Sequence, residues 1–327
     1  MRYSLLCCAF FSATQAVAGV EEALSDHILP GYAGFAEAAE VLAVTAEADC
    51  TPAALRDPWN AAFDAWTEIG DVRMGPSETG ALSVAFWPDT RGFTPKTLSR
   101  LISSEEQLGT DADAFAEVSI AARGLFALER MLFDDQLAGY DAGSYACTLV
   151  QTMSADLANQ AQALEAGWRE GYAEVLRSAG QEDNATYLSE DEALTALYTQ
   201  VLSSLEFTAD SRLGRPLGTF ERPRPTRAEA WRSERALRNV RLYADAASAF
   251  AHTLADWELP LTEDALARLH DVADRVEDPA LQDIDDPSAR LRLEIVQQHV
   301  RALHDAIEQE IGVPLGLTPG FNSQDGD

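Results

Sequence analysis

In the run Gly124-Leu125-Phe126-Ala127-Leu128-Glu129-Arg130-Met131-Leu132-Phe133, one carboxylate interrupts a largely apolar stretch. Buried in a helix, Glu129 would need a partner, because an uncompensated charge in apolar surroundings is expensive. It reads as the remnant of a metal site, as part of a working site of another kind, or as a charged residue at a helix boundary. Arginines recur in a pattern that would supply the partner. Arg232, Arg235, Arg238 and Arg241 are spaced by three, with Trp231, Ser233, Glu234 and Asn239 between them. On a helix that spacing makes an inclined ridge, able to pair with acidic neighbours or to present guanidinium forks to an anion. Arg73 is a further candidate.

Other chemistries find less support. The five histidines are His27, His252, His270, His299 and His304, and no H-E-x-x-H pattern occurs. His304 and Glu308 share a helix face at i and i+4, a spacing common to ion sites and solvated surfaces alike. There is no G-x-S-x-G nucleophile motif. The glycines of GRPLG and GLTPG do not follow strands, which argues against phosphate loops. With 54 acidic residues any pair of carboxylates arises by chance, so acid–base catalysis is permitted without being indicated.

Helices must position these residues. Apolar spacing of the helical kind covers 20–48, with an interruption at Pro30-Gly31, and a helix opened by Asp57-Pro58 runs to about Ile69. The segment 70–94 reads as irregular, and Thr94-Pro95 opens a short helix. Thr110 with Asp113 predicts the start of the helix carrying Glu129. Ser189 with Glu192 and Thr226 with Glu229 match the capping box, the second launching a helix over 226–257. Further helices are expected near 144–179, 262–276 and 287–311. No segment alternates with period two, so a β domain is rejected and a bundle of helices is expected. A break in the pattern over 208–225 is the candidate linker.

The chain of 327 residues is 46% hydrophobic, enough for a large core, and carries a formal charge of -30. That charge argues against nucleic acid and anionic membrane as partners, which require clustered cations. Arg2, the apolar run from Leu5 to Phe11 and Ala16-Val17-Ala18 read as a secretory signal, with cleavage expected after Ala18. Too little hydrophobic sequence precedes Cys7 and Cys8 for a lipoprotein signal. No run is long enough for a transmembrane helix. Cleavage leaves Cys50 and Cys147, an even pair in an oxidising compartment, for which a disulfide is expected.

Six motifs in order, WNAAFDAWTEIGDVRMGPSE, FWPDTRGF, GLFALERMLF, RLGRPLG, WRSERALRN and GFNSQDGD, resemble the imelysin (M75 peptidase-like) family over nearly the whole mature chain. The resemblance implies an all-α fold of two related four-helix-bundle halves with a site at their interface. The corresponding division is a signal peptide at 1–18, an N-terminal half at 19–207, and a linker with a C-terminal half at 208–327. It also implies an exported, periplasmic protein in an iron-uptake context. The family signature is G-x-H-x-x-E, whose His and Glu would converge on a cation, with iron, copper or zinc as candidates. Here Gly124 and Glu129 match, but Phe126 stands where the histidine is expected, and phenylalanine cannot bind a metal.

The expected pocket therefore comprises Arg73, Pro76, Trp87, Asp89, Gly124, Phe126 and Glu129 from the first half, with Trp231, Arg232, Arg235 and Asn239 from the second. Its expected occupant is a small ligand, a metal held in part by Glu129, or a periplasmic partner protein. The alternative is a metal-dependent peptidase drawing ligands from elsewhere, such as His299 or His304. A third reading is a purely structural helical scaffold.

Overall fold

The computed structural model describes residues 19–112 and 114–320. The expected signal sequence at 1–18, Asp113 and all but the first residue of GFNSQDGD lie outside the described residues. Among the described residues ten helices of eight residues or more carry the fold, and the only β pairing is an isolated bridge between Thr219 and Arg222. The helices are α1 (Leu29–Ala48), α2 (Pro52–Ile69), α3 (Ser77–Val84), α4 (Phe93–Ser104), α5 (Gly124–Phe133), α6 (Tyr145–Gly167), α7 (Glu190–Phe207), α8 (Ala236–Thr253), α9 (Pro260–Ala273) and α10 (Pro287–Ile307). None of the described helices is long and apolar enough to cross a membrane.

Two sets of four helices form. Helices α1, α2, α5 and α6 pack on one another, with α1 against both α2 and α6, and α5 joining α2 to α6. In the second set α7 and α9 each pack against both α8 and α10. The sets meet chiefly where α2 lies against α8. Buried aromatics fill the first set: Trp59, Phe63 and Trp66 point inward from α2, and Phe35 from α1 lies 4.9 Å from Trp66. Cys50, between α1 and α2, is disulfide-bonded to Cys147 on α6, with Cα atoms 5.4 Å apart.

Several helix boundaries differ from those expected. The chain does not break at Pro30-Gly31: a helical stretch from Val20 continues through a π turn at Ala23–Ile28 into α1. The wider turn accommodates a proline that cannot donate to the ladder. Helix α2 begins at Pro52, a first-turn position where the missing N–H costs nothing, and runs through Pro58. The helix carrying Glu129 does not start near Thr110. Three short 3-10 turns, Gln107–Thr110, Phe115–Glu117 and Ile120–Ala122, intervene.

Residues 208–217 are not a linker. They extend α7 as a π turn, Thr208–Leu213, and a last helical turn, Gly214–Leu217. Arg212 within that extension is buried and needs the acidic partners the helix brings it to, which outweighs the local Gly and Pro. The Ser189 cap forms: its Oγ accepts the Glu192 amide at 3.2 Å. The Glu192 carboxylate accepts the Leu188 amide at 2.6 Å, one residue earlier than a capping box requires.

Candidate functional site

The expected helix over 226–257 begins only at Ala236. Ala230 and Glu234 adopt left-handed backbone, with φ of 44° and 59°, and enclose a 3-10 turn at Trp231–Ser233. Glu229 does not cap a helix; it turns inward, accepting from Asn239 Nδ2 at 3.0 Å and pairing with Arg212. The anticipated ridge of four arginines is therefore split. Arg232 lies on the turn, Arg235 precedes α8, and only Arg238 and Arg241 are helical.

This turn meets α5 across the molecule. Glu129 is 3% exposed, and its Oε1 accepts both the backbone amide and the hydroxyl of Ser233, at 3.1 and 3.0 Å. The expected arginine partner is thus corrected: a serine supplies the hydrogen bonds, and Arg232 contributes only its nearby charge. Burial outweighs both and pushes the Glu129 carboxyl above the ordinary carboxylate range. Arg232 and Arg130 instead share Asp134, at 2.9 and 2.7 Å. Burial opposes the Asp134 charge, yet the Gln136 amide and the two arginines hold its pKa low.

A cleft of about 200 Å³ opens at this contact. Trp87, Asp89, Phe126, Glu129, Trp231 and Arg232, all anticipated from sequence, line it, joined by Arg130, Arg215, Arg227 and Thr226. Phe126 faces Trp87 with ring centroids 6.2 Å apart and meets Phe63 edge-on at 5.4 Å. Arg232 stacks over Trp231 at 4.1 Å. Asp89 is occupied: its two oxygens accept the Phe93 and Thr94 amides at 2.9 and 2.8 Å, at the start of α4. Burial works against its charge, but those amides keep its pKa below the ordinary value.

The remaining anticipated residues do not line the cleft. Gly124 has φ +74°, and a Cβ there would lie 2.1 Å from the Val84 carbonyl oxygen, so only glycine lets α5 approach α3 this closely. Arg73 is elsewhere: its amide donates to Gln200 Oε1 at 2.8 Å and its guanidinium stands 6.0 Å from the Trp66 ring. Pro76 packs against Gly167. Arg235 is 2% exposed and ties α8 to α2 through Asn60 and Asp64. Asn239 is fully buried and serves Glu229.

Sequence inspection misses a second buried network. Arg212 takes Asp71 with both guanidinium nitrogens, at 2.8 and 2.9 Å, and its carbon stands 3.3 Å from the Tyr243 ring centroid. Burial opposes its charge, but Asp71, Tyr243 and Glu229 hold its pKa above the ordinary arginine value. The signal available in the sequence was the clustering of arginine over 212–227, five with a single glutamate in a chain of charge -30.

The donor set does not suit a metal at the cleft. No histidine lines it, Phe126 fills the expected histidine position, Asp89 is committed to amides, and Glu129 offers one oxygen without a hydrogen bond from a described residue. His304 lies elsewhere. Its ring, Asp305 and Glu308 offer ligand atoms within 4.8 Å of one another, but both carboxylates are exposed.

No curated protein matches the chain. Among solved structures, an imelysin-like protein from Psychrobacter arcticum 273-4 superposes with a TM-score of 0.76 at 19% identity, covering 92% of this chain and 96% of that one. A protein described as an iron-regulated protein A precursor, from Parabacteroides distasonis ATCC 8503, gives a TM-score of 0.72 at 15% identity, covering 89% and 94%. The peptidase M75 (imelysin) family model matches residues 28–315. With the helical architecture and the Gly124–Glu129 motif already in place, that match establishes that the chain belongs to the imelysin family.

Proposed function

We propose that the cleft between α5 and the 225–235 segment binds a small non-metal ligand, in an exported protein serving iron acquisition. The observation that carries this reading is the engagement of Glu129 by Ser233 beside Phe126. The residues that would form a cation pair are used for cross-interface hydrogen bonding and for an aromatic wall. The cleft is concave and combines four aromatic side chains, Phe86, Trp87, Phe126 and Trp231, with charged groups that can orient a ligand. The iron context rests on family membership and on the iron-regulated name of one structural relative. Export rests on the A-x-A pattern ending at Ala18 and on the disulfide, which persists in oxidising compartments.

The test is calorimetric titration of the purified protein with iron, copper and zinc, alongside Glu129→Gln. The expected result is no stoichiometric binding that depends on Glu129. Stoichiometric binding abolished in the variant would overturn the reading and restore a metal site, with the peptidase alternative behind it.

A further inference from the structure

Two cationic side chains at the cleft are left without partners. Carboxylates outnumber Lys and Arg by 54 to 24, yet the guanidinium groups of Arg215 and Arg227 make no hydrogen bond or ion pair with any described residue. Both line the cleft, Arg215 half-buried and Arg227 exposed at its rim. Burial first, and then the charge of Arg227, push the Arg215 pKa down. The acidic groups nearby are already engaged. Asp89 holds the start of α4, Asp134 serves Arg130 and Arg232, and Glu129 faces Ser233. Two unpaired forks in an acidic protein, in one cleft with Trp87, Phe126 and Trp231, suit an anion that carries a flat apolar body.

Resting on the ligand-binding reading above, we infer that the cleft takes a small aromatic carboxylate, its carboxylate held by Arg215 and Arg227 and its ring set against Trp87, Phe126 and Trp231. The cavity of about 200 Å³ lies below the roughly 300–1,000 Å³ of sites for larger ligands, which favours a single ring. The Thr226 hydroxyl, also at the cleft, can donate to the same anion.

The experiment is calorimetric titration of the purified protein with benzoate, salicylate, the neutral isostere benzamide and inorganic phosphate, repeated on Arg215→Gln, Arg227→Gln and Trp231→Leu. Benzoate and salicylate are expected to bind. Benzamide and phosphate are expected to bind at least about ten-fold more weakly, and each arginine substitution to weaken the carboxylates by about ten-fold or more. Neither arginine substitution breaks an ion pair, so the melting temperature of both variants is expected to stay at the wild-type value.

Carboxylate affinity unchanged in both arginine variants, benzamide or phosphate binding as tightly as benzoate, or no carboxylate binding at all would each overturn the inference. Benzamide bound in a Trp231-dependent way would remove the anion while leaving the cleft a ligand site. The broader reading falls separately, to Glu129-dependent metal binding.

Discussion

Glu129 and Ser233, 104 residues apart, join the two sets of helices: Oε1 of the glutamate accepts the serine amide at 3.1 Å and its hydroxyl at 3.0 Å. A buried carboxylate is retained because two donors from the other side of the interface meet it. The position that would complete a metal pair has become an aromatic wall at the same place.

Removing the hydroxyl with Ser233→Ala leaves the amide bond but deprives a buried acceptor of one donor. A loss of roughly 1–3 kcal/mol is expected, read as a lower urea midpoint with an unchanged slope. An unaltered midpoint would show that the amide alone satisfies Glu129.

The raised pKa of Glu129 has a pH signature. The folded protein holds this proton more tightly than the unfolded chain, so the contribution is fully present below the ordinary 4.5 and is lost as pH rises through the higher folded value. Glu129→Gln keeps the acceptor and removes the titration. Relative to wild type, the variant is expected to gain stability as pH rises from the ordinary 4.5 through the folded value, read by urea unfolding. A constant difference across that range would contradict the shift.

Phe126→His tests whether the geometry of a cation pair survives. Positions 126 and 129 share one face of α5, so the variant is expected to gain zinc binding that the further change Glu129→Gln abolishes. It would also lose the contacts to Trp87 and Phe63, lowering stability by about 1–3 kcal/mol. Calorimetry reads the first effect and thermal unfolding the second.

Arg212→Met would strand Asp71 and Glu229 in the interior. Breaking a buried pair by removing one partner costs about 3–5 kcal/mol. Asp71→Asn combined with Arg212→Met is expected to recover part of that loss in denaturant unfolding. Equal stability of the single and double variants would argue that water reaches the network.

The disulfide closes a separation of 97 residues. Reduction, or Cys147→Ser, is expected to cost about 4.7 kcal/mol by the chain-entropy model, a fall of roughly 7 °C in melting temperature for a chain of this size. Thermal scans with and without reductant check it.

The all-helical class, most helix positions, the Ser189 cap, the cysteine pair and the family motif were legible from local pattern. Periodicity, capping residues and parity of cysteines depend on neighbours in sequence. The motifs also named six of the residues that line the cleft, Trp87, Asp89, Phe126, Glu129, Trp231 and Arg232. What local pattern could not reach is where long-range burial overrides it. Thr226 and Glu229 satisfy a capping rule, yet Glu229 is drawn to Arg212 and Asn239, and α8 starts ten residues later. Residues 208–217 read as a linker but continue α7 because Arg212 must reach Asp71. The sequence by itself determined that this is a helical, acidic imelysin-family chain with a broken G-x-H-x-x-E motif. Only the tertiary structure decided that Glu129 faces Ser233, because the free energy of a buried charge depends on which donors the fold brings to it, and that Arg215 and Arg227 line one cleft without an acidic partner.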